Sequence, residues 1–125
     1  MSTIEENCAC RGKNLDHFLQ VAILNELYHE NLHGFALIQR IALSPMFHGE
    51  NPDPTGLYRY LKKMELNNLL SSSLELWQGS SSRRVYSITD HGRICFNQWR
   101  ESLLTYQEDL TALIATVNQT LGNKN

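Results

Sequence analysis

The sequence predicts a mainly α-helical protein with one small β-hairpin and a long C-terminal helix. Three observations support this fold class. Three amphipathic helical patterns fill the first half of the chain, two alternating stretches flank a polar tip rich in serine, and a regular apolar repeat fills the C-terminal part. A length of 125 residues fits one domain with a modest core.

Composition and charge narrow the classes of protein to consider. The net charge is -2, so the chain as a whole is not a generic polyanion binder. No apolar run exceeds four residues, which predicts neither a membrane-spanning helix nor a signal peptide, and we expect no membrane partner. The chain has three cysteines, an odd number, which argues against a disulfide framework and favours a reducing cytoplasm.

The first 13 residues have no periodicity and are predicted to form a flexible arm. Cys8 and Cys10 lie within it, but two thiols are too few for a structural metal site. A symmetric dimer could bring two such pairs together, so they are candidates for a metal or redox site; the alternative is two incidental thiols in a tail. We expect no metal and no cofactor.

Two helices are predicted next. The first runs from Asn14 to Glu30, with an apolar stripe at spacings of three and four, formed by Leu15, Phe18, Leu19, Ala22, Ile23 and Leu27. The stretch 31–34 breaks it. The second runs from Phe35 to Ser44, where Pro45 ends it, and a loop rich in Gly, Asn and Pro follows to Asp53.

The third predicted helix runs from Pro54 to about Leu66 and has one apolar and one cationic face. Pro54 suits a first helical position, and Asp53 can cap the first turn. At 100° per residue, Leu57, Tyr60, Leu61 and Met64 share the apolar face. The opposite face and its shoulders carry Thr55, Tyr58, Arg59, Lys62 and Lys63. Such a face suits the major groove of DNA, although an ordinary solvated helix face could look the same.

A hairpin is predicted after this helix. Leu69 to Trp77 alternates as a strand, residues 78–82 form a polar tip, and Arg83 to Ile88 forms the returning strand. Asn67 and Asn68 can end the preceding helix in left-handed geometry. Three helices followed by a hairpin is the order of a winged helix-turn-helix, in which the tip and its two arginines would be the wing.

The last predicted helix is capped by Thr89 and runs to about Leu121. Its main apolar stripe is spaced alternately by three and four residues, a heptad pattern that we call the seam: Phe96, Trp99, Leu103, Tyr106, Leu110, Leu113 and Val117. A seam this regular predicts pairing with a second chain. The alternative is packing against the first helix of the same chain, and both can hold, because a second stripe is formed by Ile94, Leu104, Ile114 and Leu121.

Four segments in this order resemble the PadR family of bacterial transcriptional regulators. Leu32-His33-Gly34-Phe35-Ala36-Leu37 is similar to the family's Leu-His-Gly-Tyr-Glu-Leu, with Ala36 in place of the acidic residue. Residues 56–61 are similar to its recognition helix. Residues 69–70 with 79–86 are similar to its wing, although Asn68 replaces a glycine, and 88–92 to the opening of its long helix.

The resemblance implies a winged helix-turn-helix DNA-binding domain over residues 14–88 and a C-terminal dimerisation helix over 89–125, the shorter type of the family. It implies a homodimeric regulator, generally a repressor, on a palindromic operator in double-stranded DNA. The DNA contacts that it implies are Thr55, Tyr58, Arg59 and Lys62 on the recognition helix and Arg83 and Arg84 on the wing. Lys63, on the shoulder of the same helix, is predicted as a further DNA contact. Some members release DNA on binding a small ligand; here Phe96 and Trp99 are the candidates for a small aromatic effector.

Two other functional classes agree with parts of the sequence. A winged-helix module that binds protein rather than DNA would agree with the negative net charge, and salt-dependent DNA binding separates the two. An enzyme would need a nucleophile, and Cys95 with His91 and Asp90 is a candidate set. These residues lie on one helix without oxyanion donors, and Cys95 is better explained as a small buried residue, so we expect no enzyme.

Overall fold

The computed structural model describes residues 18–47, 54–77 and 81–122. The helices are α1 (Leu19–Leu27), α2 (Gly34–Leu43), α3 (Pro54–Leu66) and α4 (Asp90–Thr120), and a short 3-10 turn follows α2 at Pro45–Phe47. The strands are β1 (Leu32–His33), β2 (Leu70–Trp77) and β3 (Ser81–Ile88). This order confirms the predicted fold class, a helical winged helix-turn-helix with a hairpin and a long last helix.

The sheet has three antiparallel strands in the order β1-β3-β2, one more than the sequence predicted. The expected break at 31–34 contains β1, in which Leu32 pairs with Tyr86 and His33 with Val85. A strand of two residues is too short for an alternating pattern, so only its pairing with β3 reveals it. In the hairpin, β2 and β3 pair from Leu70 opposite Ile88 to Trp77 opposite Ser81.

Two predicted boundaries are corrected. Helix α1 ends at Leu27 rather than Glu30, because its last turn tightens: the Tyr28 amide donates to the Asn25 carbonyl at 3.4 Å, an i to i−3 bond. Strand β3 begins at Ser81, two residues before Arg83, since pairing with β2 continues to that point. The predicted start of the first helix at Asn14 lies outside the described residues.

The core lies between α1, α2 and α3, and the sheet closes one side of it. Its largest fully buried side chains all come from these helices: Ile23, Leu24, Leu27, Leu37, Ile41, Leu57, Leu61 and Met64. The predicted stripe of α1 omitted Leu24, which is fully buried because α1 is covered on more than one side. Burying an aliphatic side chain of this size is worth roughly 1.5–3 kcal/mol, so this cluster holds the three helices together.

The sequence predicted the left-handed residue that ends α3 and the cap that begins α4. Asn68 has φ 63°, the left-handed conformation expected there. The amides of Asn68 and Leu69 donate to the carbonyls of Glu65 and Met64, both at 2.9 Å, which is a Schellman ending. Thr89 caps α4, since its Oγ1 accepts from the Gly92 amide at 2.9 Å, as predicted.

Thr89 also ties the start of α4 to the end of α3. Its Oγ1 lies 2.7 Å from the Asn68 carbonyl and 3.0 Å from the Leu69 carbonyl, and its amide donates to the Leu69 carbonyl at 3.1 Å. Gly92 is buried beside this contact, where a Cβ would overlap the Leu69 carbonyl oxygen. The absence of a side chain at Gly92 therefore lets the two helix ends approach closely.

We expect Gly92→Ala to destabilise the fold by about 1–3 kcal/mol, because backbone atoms must move. This loss would occur although alanine favours a helix over glycine by about 1 kcal/mol. Urea unfolding followed by circular dichroism measures it. The matched control is Gly34→Ala, where the added Cβ meets the end of the half-exposed Tyr58 side chain, which can move into solvent. An alanine at 92 that costs no more than the one at 34 would contradict this account.

Candidate nucleic-acid interface

Helix α3 presents its cationic residues to solvent, as its sequence pattern predicted. Leu57, Leu61 and Met64 are no more than 1% exposed and fix the inner face of the helix. The opposite face carries five exposed residues, which we call the outer face of α3: Thr55, Tyr58, Arg59, Lys62 and Lys63. Asp53, the expected cap, lies outside the described residues.

The outer face is positioned by contact between α2 and α3. The ring of Tyr58 packs directly against Gly34, the first residue of α2, so closely that a Cβ at Gly34 would overlap the ring. Tyr58 remains 43% exposed, so its ring is supported on one side and open on the other. The Leu-His-Gly segment therefore provides both the short strand β1 and the space for a side chain of the outer face.

The cations of α3 differ from Arg40 in their ion pairing. Arg40 on α2 lies 2.9 Å from Glu30 Oε1 and 3.9 Å from Glu26 Oε1, so acidic side chains offset its charge. Across residues 18–47, 54–77 and 81–122, no ion pair involves Arg59, Lys62 or Lys63. Of these two helices, it is therefore α3 whose cations are available to bind an external anion.

The two arginines of the predicted wing lie on opposite faces of the hairpin. Consecutive strand residues alternate in direction, so Arg83 and Arg84 of β3 diverge. Arg83 shares the face of His33, and burial together with the Arg83 charge lowers the pKa of His33. Arg84 lies on the face of Ser72, to whose Oγ it donates from Nη1 at 2.9 Å. The sequence predicted that both arginines belong to the wing, but not that they lie on opposite faces of it.

A series of hydrogen-bonded polar side chains joins the hairpin to α3, on the face of the hairpin that carries Arg84. Ser72 Oγ donates to Glu65 Oε2 at 2.8 Å, so Arg84, Ser72 and Glu65 connect β3, β2 and the last turn of α3. The charges of these side chains also act on the Tyr86 phenol. Burial raises the pKa of Tyr86, Glu65 and Tyr58 raise it further, and the positive charge of Arg84 lowers it. These hydrogen bonds hold the hairpin against the last turn of α3.

The seam of α4 divides into two parts. Phe96 and Trp99 are half-buried against α1 of the same chain, where Phe96 lies 5.2 Å from Tyr28 and Trp99 lies 6.4 Å from Phe18, centroid to centroid. The other five members are exposed by 37–58% and comprise Leu103, Tyr106, Leu110, Leu113 and Val117. The ring of Tyr106 meets that of Phe18 edge to face, with the centroids 6.2 Å apart. The first part therefore follows the intramolecular alternative, and the second part presents an apolar stripe.

A glutamine on α1 makes polar contacts with two side chains of α4. The Trp99 Nε1–H donates to Gln20 Oε1 at 2.8 Å, and Cys95 Sγ lies 3.7 Å from the same oxygen. Burial raises the pKa of Tyr60 on α3, the nearby Cys95 adds to this, and a side-chain hydrogen bond with Gln20 opposes it. The side chains of Gln20, Tyr60, Cys95 and Trp99 form what we call the glutamine junction.

The remaining candidates give no reactive or metal site in the described part of the chain. Asp90 and His91 are exposed, whereas Cys95 is turned toward Gln20 and burial raises the pKa of its thiol, which disfavours the nucleophilic thiolate. No group of three or more metal-binding side chains occurs among residues 18–47, 54–77 and 81–122. Cys8 and Cys10 lie outside these ranges. No helix in them is long and apolar enough to cross a membrane.

Sequence reasoning missed three residues that make polar contacts between elements around the candidate interface. Gln20 lies among apolar residues of α1, and a polar residue in such a place is a usable signal that it has a specific partner. Glu65 and Ser72 carry no such signal, because a glutamate near a helix end and a serine in a serine run are ordinary surface residues. Their hydrogen bond exists only because the hairpin folds back beside α3.

Comparison with known proteins identifies the family. The model of the PadR-like family of transcriptional regulators matches residues 23–98. No curated protein matches the chain. A PadR family regulator from Eggerthella lenta superposes with a TM-score of 0.73 at 23% identity, covering 85% of this chain and 89% of its own. A transcriptional regulator from Thermoplasma acidophilum, described as putative, gives 0.71 at 22%, covering 81% and 94%.

One similar structure contains nucleic acid. Bacillus subtilis PadR in complex with operator DNA superposes with a TM-score of 0.58 at 20% identity, over 65% of this chain and 46% of that chain. These likenesses agree with the fold described above, and the matched family model includes α2, α3, the hairpin and the first turns of α4. The chain belongs to the PadR-like family of transcriptional regulators, which is not a family of enzymes.

Proposed function

We propose that this protein is a transcriptional repressor that acts in the cytoplasm and binds a palindromic operator in double-stranded DNA as a homodimer. The observation that carries the proposal is the outer face of α3. Arg59, Lys62 and Lys63 lie exposed on it, outside every ion pair of the described residues, while the opposite face of the helix is anchored in the core. A helix of this width and charge fits the major groove.

The proposed DNA contacts of the outer face are of two kinds, to base edges and to phosphates. Arg59 lies at the centre of the outer face, and its planar guanidinium can donate two parallel hydrogen bonds to a guanine edge. Thr55 lies beside it and can reach a base edge through its hydroxyl. Lys62, Lys63 and the Tyr58 hydroxyl lie toward the sides, where phosphates run along the groove. The Bacillus subtilis relative with operator DNA supports DNA as the partner.

The wing supplies a second set of contacts. Arg83 and Arg84 lie on opposite faces of β3, so at a given docking angle each meets a different part of the backbone or the adjacent minor groove. Arg84 uses one N–H for Ser72, and a guanidinium has five, so this bond leaves donors for a phosphate. The hydrogen-bonded chain to Glu65 supports the angle at which the wing leaves α3.

The homodimer is proposed on the second part of the seam. Leu103, Leu110 and Leu113 are exposed along one side of α4, beyond the part of that helix that contacts α1. An apolar stripe of this length with heptad spacing is typical of pairing between helices. Two copies related by a two-fold axis would carry two α3 helices to the same side of a duplex, which is the geometry that an inverted repeat requires.

Selection from a genomic DNA library followed by footprinting tests the function. The selected sites are expected to contain inverted half-sites with centres about 10 bp apart, or a multiple of that. Affinity should fall steeply between about 50 and 200 mM salt, because each neutralised phosphate releases counterions. Joint replacement of Arg59, Lys62 and Lys63 by alanine should abolish binding, whereas Arg40→Ala, which removes a cation already paired, should not.

A protein that selects no DNA and shows no salt-dependent DNA binding would be a winged-helix module for protein partners. The negative net charge agrees with that alternative. The same experiment therefore decides between the two functions, because counterion release accompanies the binding of DNA phosphates and scales with their number.

We further propose that a small planar aromatic ligand binds beside Phe96 and Trp99 and releases the operator. The rings of Phe18, Trp99 and Tyr106 already meet edge to face at this place, and flat rings favour stacking with another ring. Titration with planar aromatic compounds should quench Trp99 fluorescence. Trp99→Phe is the control, because Trp77 then reports alone and should not respond. An unaltered spectrum across a varied panel would count against the site.

A further inference from the structure

Two leucines of the hairpin are exposed on one of its faces. Leu74 and Leu76 of β2 are 62% and 79% exposed, whereas Leu70 of the same strand is buried in the core. The pairing of β2 with β3 keeps one register along its whole length, so these three leucines lie on the same face of the hairpin. A single exposed leucine is ordinary, but two on one face of a narrow hairpin form an apolar surface that continues outward from the core.

The same face carries a cation. Arg84 pairs directly opposite Leu74, and it is the one charged residue that the described part of the hairpin places on this face. The acidic residue of β2, Glu75, lies on the other face, opposite Arg83. We call Leu74, Leu76 and Arg84 the wing surface. Apolar side chains beside a cation fit a groove of DNA, where phosphates border the sugars and base edges.

The wing surface lies beside the outer face of α3. Ser72, on the same face of the hairpin, donates from Oγ to Glu65 Oε2 at 2.8 Å and accepts from Arg84 Nη1 at 2.9 Å. At 100° per residue, Glu65 lies on the side of α3 that also carries Tyr58 and Lys62. The wing surface therefore adjoins that side of the outer face and continues the proposed DNA interface.

The length of the hairpin matches the distance between neighbouring grooves. The centre of the minor groove lies half a helical turn, or roughly 17 Å, from the centre of the major groove that α3 would occupy. With its side chains, α3 has a radius of about 5–6 Å. Leu76 lies four residues beyond Ser72 along β2, which is about 13 Å of strand. The leucines therefore reach the minor groove, while Arg84, which bonds back to Ser72, stays nearer the phosphates between the grooves.

We propose that Leu74 and Leu76 enter the minor groove beside each half-site and make the protein prefer A·T to G·C pairs there. The inference rests on the proposed function, because α3 must occupy the major groove for the wing to reach the minor one. In the minor groove, guanine presents an amino group where adenine has only a C–H. A leucine against that amino group removes its water and offers no acceptor in return, whereas the C–H needs none.

Inosine·cytosine pairs test the inference on the wild-type protein. Such a pair has the major-groove edge of G·C but lacks the minor-groove amino group, so it tells the two grooves apart. The selected operator is made with A·T, G·C or inosine·cytosine at the pairs beside each half-site that the protein protects from hydroxyl-radical cleavage. Wild type should bind the A·T and inosine·cytosine versions alike and the G·C version about fivefold or more weakly, comparable with one mismatched pair. Equal affinity for all three, or inosine·cytosine that behaves like G·C, overturns the inference.

The Leu74→Thr/Leu76→Thr variant tests the two leucines themselves. Threonine favours strands, so the hairpin should stay folded, and its hydroxyl can accept from the guanine amino group. The preference for A·T should fall to within about twofold, at an unchanged salt slope, because leucine neutralises no phosphate. Arg84→Ala should do the reverse, lowering the salt slope by about one and keeping the preference. Leu43→Thr, at an equally exposed leucine that ends α2, is the matched control and should change neither.

The outcomes separate this inference from the proposed function. A wild-type protein that binds no operator counts against the function and, with it, the inference. Tight binding of the operator by a folded double threonine variant that keeps the preference for A·T overturns the inference alone. Sedimentation velocity without DNA checks the remaining use of the leucines: a double variant that loses the dimer would place them in a contact between two copies of the chain, which also overturns it.

Discussion

Arg59→Ala is expected to relax the choice of base at one position in each half-site while the protein remains folded and dimeric. A bidentate arginine–guanine pair contributes about 1–3 kcal/mol of discrimination, which is roughly 5- to 150-fold in relative affinity. The side chain is exposed on the outer face of α3, so its removal opens no cavity in the core. Binding to a library with each half-site position varied in turn measures the effect.

Two variants separate base reading from charge. Arg59→Lys keeps the positive charge but loses the planar fork, so it should relax the same position while keeping most of the salt dependence. Lys62→Ala should weaken binding to all sequences alike and reduce the salt slope by about one, because one phosphate fewer is neutralised. If Arg59→Ala and the Arg83/Arg84 double alanine variant, folded and dimeric, bind selected DNA like wild type, the assignment of α3 and the wing to the grooves is wrong.

Replacing Leu103 and Leu110 with glutamate is expected to give a folded monomer. Both side chains are exposed within one chain, by 37% and 56%, and neither belongs to the core between α1, α2 and α3. Burying an aliphatic side chain against a partner is worth roughly 1.5–3 kcal/mol, and a charge at that place must also be desolvated. Sedimentation velocity over a range of concentrations measures the loss, with thermal unfolding as the check on the fold.

The matched control adds the same two charges to another side of α4. Thr105 and Ala112 are exposed and lie two residues after Leu103 and Leu110, about 200° around the helix. The Thr105→Glu/Ala112→Glu variant should remain a dimer. A double variant at Leu103 and Leu110 that stays a tight dimer would show that another surface joins the subunits, and the operator geometry proposed above would then need a different symmetry axis.

Much of the interface could be predicted because its determinants are local. A proline at the first position and an apolar face of three- and four-residue spacing place α3 at Pro54–Leu66, and the same periodicity makes the outer face exposed. Asn68 could be expected in left-handed geometry, since asparagine tolerates it. Thr89 could be expected as a cap because the long apolar repeat begins just after it.

The features that were missed depend on contacts between residues far apart in the chain. Strand β1 has two residues and becomes a strand only where β3 passes beside it. The faces of Arg83 and Arg84 follow from the start and register of β3, which pairing with β2 sets. Trp99 could be placed on the seam by its spacing, but the bond of its indole N–H to Gln20, which lies 79 positions away, could not be predicted.

The sequence by itself determined the order of the elements, the face of α3 that carries the cations and the cap that begins α4, because each depends on side-chain periodicity or on backbone preference within a few residues. Only the tertiary structure decided which residues connect α3, the hairpin, α4 and α1. Gln20 joins α1 to α4, Glu65 joins α3 to the hairpin, and Thr89 joins α4 to the end of α3, beside the close approach of Gly92 to the Leu69 carbonyl. A hydrogen bond needs its partners within about 3 Å, and sequence periodicity contains no information about that distance.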